Sequence, residues 1–126
     1  MQKFAARCIR LPQLSGDIKQ LKKRFRSAEI DLKYAERLLE AGQVLPQTDA
    51  YPGFQGHKIF KTRVVNTDSA RGKSAGYRLI YEKIETQNEA LILLIFFYDK
   101  STCDDENKVR TEVRTRLRSP EYAQLA

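Results

Sequence analysis

The run Leu91-Ile92-Leu93-Leu94-Ile95-Phe96-Phe97-Tyr98 has no polar residue at alternate positions, so neither side of it is suited to water. A segment this short and apolar all round is expected to be a strand in the middle of a sheet, covered on both faces. Extended by Ala90, it is still only about half of the ~20 residues a bilayer-spanning helix needs. The opening Met1-Gln2-Lys3-Phe4 leads into no apolar leader. The expectation is a cytoplasmic protein with no membrane contact. At 126 residues, one domain over 1–126 accounts for the whole chain.

Around this strand the patterning predicts an α+β fold. His57–Val65 and Gly76–Ile84 are rich in β-branched and aromatic residues and read as strands. The link Thr86-Gln87-Asn88-Glu89 is short enough for a hairpin, which makes the last two strands antiparallel neighbours. Phe4–Leu11 reads as a further short strand, though its alternation is poor. The expected sheet is small and antiparallel, with three to four strands. Ile18, Leu21, Phe25, Ala28, Leu32, Ala35 and Leu39 recur at helical spacing. Ser15 or Asp17 can cap the start, Gly42 the end, and Ser27 a second start, so one N-terminal helix and a helical hairpin broken near Arg26 both fit. Pro46, Pro52, Gly53 and Gly56 mark an irregular connection. Ser101 or Thr102 can open a C-terminal helix with Val109, Val113 and Leu117 as its stripe, closed by Pro120.

Charge is unevenly placed. The formal net charge is +7, and residues 1–63 carry all of it, with 13 Lys/Arg against 6 Asp/Glu. His57–Arg78 holds Lys58, Lys61, Arg63, Arg71, Lys73 and Arg78 against Asp68 alone. Such a stripe attracts polyanions and releases their counterions, which points to RNA or DNA. Along the first of these strands Lys61 and Arg63 share a face with His57 and Ile59, while Phe60, Thr62 and Val64 face a helix. Arg78 shares a face with Ile80 on the next strand, and Lys100 follows the third.

Cationic groups of this kind suit RNA cleavage, because the strand carries its own nucleophile in the 2′-hydroxyl. The protein must align it, stabilise the crowded phosphate and move protons. Arginine's planar fork fits phosphate oxygens. Lys61, Lys58 or His57 can exchange protons. Lys61, Arg78 and His57 are therefore the catalytic candidates, and Lys58, Arg63, Lys73 and Lys100 the RNA-binding ones. Gly72-Lys73-Ser74 is not a nucleotide-binding loop, since Thr67 stands where the first glycine is required and a strand follows. Cys8, Cys103 and His57 are too few for a four-ligand zinc cage, so no metal, disulfide or cofactor is expected. Asp104-Asp105-Glu106 reads as a helix start rather than a cation site.

Three stretches taken together resemble a known superfamily: Ile59-Phe60-Lys61-Thr62-Arg63-Val64, then Arg71-Gly72-Lys73-Ser74-Ala75-Gly76-Tyr77-Arg78-Leu79-Ile80-Tyr81, then Leu91–Tyr98 with Asp99-Lys100-Ser101. They are similar to the RelE/HigB toxins of bacterial type II toxin–antitoxin pairs, over roughly residues 57–106. The resemblance implies a RelE-like fold, with a small antiparallel sheet flanked by an N-terminal helical hairpin. It implies metal-independent, ribosome-dependent cleavage of messenger RNA, with an antitoxin covering the cationic surface. Lys61 and Arg63 resemble the family's basic pair, Arg78 its phosphate-stabilising arginine, and Lys100 the basic residue after the last strand. Ala75 stands where the family has glycine, and no tyrosine lies between Cys103 and Leu117, so the resemblance assigns no proton-transfer residue. Rival readings are a gyrase-directed toxin like ParE, a non-enzymatic RNA-binding regulatory module, and a homo-oligomer joined through the helical stripe.

Overall fold

The apolar run lies within β5 (Glu89–Tyr98), flanked on one side by β4 (Tyr77–Glu85) and on the other by β1 (Ala5–Arg10). The computed structural model describes residues 5–68 and 76–125. Beyond β4 come β3 (Ile59–Val64) and a two-residue β2 (Asp49–Ala50), so the order is β1-β5-β4-β3-β2. Ile92–Tyr98 is buried throughout, as expected of a central strand. The hairpin at 86–89 also forms as read, with the Thr86 N–H donating to the Glu89 carbonyl at 2.9 Å.

The fold is α+β, but the sheet is larger than expected and is mixed. It has five strands rather than three to four, and β1 runs parallel to β5 instead of antiparallel. The alternation of β1 is obscured because its helix-facing row ends in a cation. Arg10 reaches Glu36 and Glu29 on α2 (Ala28–Glu40), with Nη2 at 2.9 and 2.7 Å from their carboxylates. Glu40 accepts from the Cys8 N–H at 2.9 Å, satisfying an edge-strand donor. β2 escaped notice because two residues give no period, and it sits inside the expected irregular connection.

The N-terminal helical stripe is a hairpin. α1 (Leu14–Lys22) and α2 bury Leu14, Ile18, Leu21, Ala28, Leu32, Ala35 and Leu39 against one sheet face. Neither Ser15 nor Asp17 caps α1. Ser15 Oγ donates to the Pro12 carbonyl, and Asp17 is buried for another purpose. Gly42 ends α2 at φ +81°. Its N–H donates to Leu39, and that of Gln43 to Leu38, both at 3.0 Å. This is the left-handed stop that glycine accommodates best.

α3 (Glu106–Leu117) starts later than Ser101, with Asp105 as its cap, accepting from the Asn107 N–H at 2.8 Å. Asp99 holds Ser101 and Thr102 in a turn of their own instead. Pro120 does not merely close the helix. It opens α4 (Pro120–Leu125), a position where its missing N–H costs nothing, and Ser119 Oγ accepts from the Tyr122 N–H. No helix among the described residues is long and apolar enough to cross a membrane.

Candidate functional site

Register decides which cations meet. Arg63 and Arg78 are directly opposite across β3 and β4, Lys61 is opposite Ile80, and Arg78 is opposite Tyr98 on β5. Phe60, Thr62 and Val64 pair with Tyr81, Leu79 and Tyr77 on the other face, towards the helical hairpin. The alternation read from the sequence therefore holds across β3 and β4. Lys61, Arg63 and Arg78 form one group on the sheet face opposite the hairpin.

Two arginines in a directly opposed pair repel, and such pairs destabilise a sheet. Burial, and after it the Arg63 charge, lower the Arg78 guanidinium below its ordinary value, against a smaller opposing pull from Tyr98. An arginine stays charged regardless, so the pair brings two guanidiniums side by side on this face. Gly76 sets its geometry. The Gly76 carbonyl accepts from Arg78 Nη1 at 2.8 Å, while a Cβ on Gly76 would lie 2.8 Å from Arg63 Cγ and 2.8 Å from the Val64 carbonyl. The absent side chain is the room through which the Arg63 stem passes.

Beside these cations lie groups that hold protons. Lys61 Nζ is 3.3 Å from Glu106 Oε1, and the Tyr51 hydroxyl donates to Glu106 Oε2. Burial acts to raise the Glu106 carboxyl, but the Tyr51 hydrogen bond and the Lys61 and Arg110 charges outweigh it and hold it below the usual carboxylate range. Tyr98 moves the other way. Burial, then the Glu106 charge, raise its phenol above the ordinary value, with Arg78 opposing. At neutral pH the site thus holds an ionised carboxylate and a protonated phenol beside Arg63, Arg78 and Lys61.

The other sequence candidates are placed differently. His57 lies six residues before Arg63, roughly 20 Å along extended chain. Its Nδ1 is 2.8 Å from Glu82 Oε2, and Tyr122 on α4 donates to Glu82 Oε1 at 2.6 Å. Lys58 is exposed at that same end of β3. Lys100 is exposed two residues past Tyr98, at the Arg63–Arg78 end. Lys73 and Arg71 lie outside the described residues. Glu106, Tyr51 and Arg110 escaped the sequence reading, since Glu106 was absorbed into a helix start. The Glu106/Arg110 spacing of four was the one local signal. Among the described residues no three His, Cys, Asp or Glu side chains group as a metal requires.

Neither the family models, nor the curated proteins, nor the solved structures compared with the chain give a match.

Proposed function

We propose that the chain is a metal-independent endoribonuclease toxin of the RelE/HigB kind, acting on messenger RNA at the ribosome and held in check by an antitoxin. The observation that carries the reading is the directly opposed Arg63–Arg78 pair, with Lys61 on the same face and Tyr98 across from Arg78. The planar forks of two neighbouring arginines fit the oxygens of a phosphodiester. The helical hairpin at the N-terminus supports the same kinship.

In the proposed reaction Arg78, Arg63 and Lys61 bind the phosphate and stabilise the charge that builds on it. Glu106 accepts the 2′-hydroxyl proton, and the freed oxygen attacks phosphorus. The bond to the 5′-oxygen breaks, and Tyr98 gives that oxygen a proton. The products are a 2′,3′-cyclic phosphate and a 5′-hydroxyl, with proton and charge conserved. His57 stands apart from this phosphate, so its place in the proposal is at the flank. Lys100 and Lys73 extend the RNA contact.

Induction of the chain in a bacterium tests this. Growth should arrest, with messages cut and no DNA-damage response, and Arg78→Ala should relieve the arrest. Arrest with DNA-damage signalling and intact messages would instead indicate a gyrase-directed toxin. Steep salt-dependent RNA binding without cleavage would indicate a regulatory module.

A further inference from the structure

The cations continue from Lys61 along α3. Arg110, Arg114 and Arg118 stand four residues apart, so their stems leave one side of the helical path at steps of about 6 Å. Arg110 is committed, donating from Nη1 to the Pro52 carbonyl at 2.6 Å and lying 4.2 Å from the Tyr51 ring centre. Arg114 and Arg118 are exposed, and with Phe54, Gln55, His57 and Leu117 they line a pocket of about 270 Å³. Among the described residues, no carboxylate belongs to that lining. Glu82, which holds His57, is itself buried, with its oxygens occupied by His57 and Tyr122. The Arg114 guanidinium sits 5.5 Å from the Phe54 ring centre, which biases it towards the pocket's aromatic wall.

Two guanidiniums, an amide and an imidazole against an apolar wall suit a phosphate ester. The pocket is joined to the sheet cations through Arg110 and Glu106, so the phosphate most naturally belongs to the same strand. We infer that this pocket is a second phosphodiester-binding subsite for single-stranded RNA, an inference that rests on the RNA reading above. Arg114 and Arg118 are eight and twelve residues beyond Glu106, about 12–18 Å along the helical path, the span of about four to five stacked nucleotides at ~3.4 Å each.

Fluorescence anisotropy with 2′-O-methyl trinucleotide and nonanucleotide probes tests it on the full chain, since these cannot be cleaved. Replacing Arg114 and Arg118 together by alanine should weaken the nonanucleotide by about tenfold and reduce its salt slope by about 1.4, two phosphates at ~0.7 each. The trinucleotide should be unaffected, and the double lysine variant should keep the slope. Equal nonanucleotide affinity and slope in the wild type and alanine variants would overturn the subsite. So would parallel weakening of both probes, which would make the pocket a general anion trap. If Arg78→Ala leaves trinucleotide binding unchanged, the underlying RNA reading fails as well; if Arg78→Ala abolishes it while the nonanucleotide gains nothing from Arg114 and Arg118, only the subsite fails.

Discussion

Replacing Arg116 by methionine removes what ties α3, and with it Glu106 and Arg110, to the sheet. Arg116 Nη1 and Nη2 each lie 2.7 Å from an Asp17 oxygen, and Nη1 also donates to the Ile95 carbonyl at 3.0 Å. Both side chains are under a tenth exposed, at 9% and 8%. Burial acts against the Arg116 charge, and the Asp17 carboxylate overrides it, holding the guanidinium above its ordinary value. Methionine keeps much of the stem volume but leaves Asp17 with the Phe97 N–H, at 3.0 Å, in place of that donor and the two guanidinium contacts. Stranding one partner of a buried pair costs about 3–5 kcal/mol. For 126 residues at about 2.1 cal/mol/K each, that lowers Tm by roughly 11–19 °C in calorimetry. The double variant Asp17→Asn/Arg116→Met, with a neutral amide in place of the stranded charge, should recover part of the loss. A fall of less than about 4 °C in the single variant, or a double variant no better than the single, would refute the argument.

Gly76→Ala should cost about 1–3 kcal/mol, because the new methyl meets the Val64 carbonyl and the Arg63 stem, and should reduce RNA cleavage more than it reduces the folded population. Gly16→Ala on α1, where a Cβ meets nothing within 4 Å, should instead stabilise by about 0.5–1 kcal/mol, as thermal melting will show. The Glu29 carboxyl is held below its usual range chiefly by the Arg10 hydrogen bond, with burial opposing. A depressed folded-state value contributes stability above the unfolded carboxyl's ordinary ~4.3 and loses it as pH falls below that. Arg10→Gln should therefore flatten part of the acid limb of a stability–pH curve by no more than about 1 kcal/mol, the pair being partly exposed. An unchanged limb would contradict the assignment.

Much of the architecture is written in local pattern. The unbroken Leu91–Tyr98 run marks the central strand, the Thr86–Glu89 link its hairpin, and the three-and-four spacing from Ile18 to Leu39 the N-terminal helical stripe, though not its break into two helices. The cationic face was equally readable, since strand alternation puts Lys61 with Arg63 before any partner is known. Contacts formed only by distant pairing were not. β1 joins β5 across some eighty residues, and its alternation is overwritten by Arg10 seeking glutamates on α2. Glu106 looks like a helix cap until Arg116 and Asp17, 99 residues apart, lay α3 across the sheet beside Lys61. His57 likewise meets Tyr122 over 65 residues, a separation no local motif announces.

The central claim is that an opposed pair of arginines grips a phosphodiester that is then cut. Purified protein added to a bacterial translation extract, with message ends mapped by primer extension, tests it most directly. The account predicts discrete cuts ending in 2′,3′-cyclic phosphates, slowed about a hundredfold or more by Arg78→Ala while the fold is unchanged by circular dichroism. Intact messages in the presence of folded wild-type protein, or cutting that Arg78→Ala and Arg63→Ala leave at full rate, would contradict it.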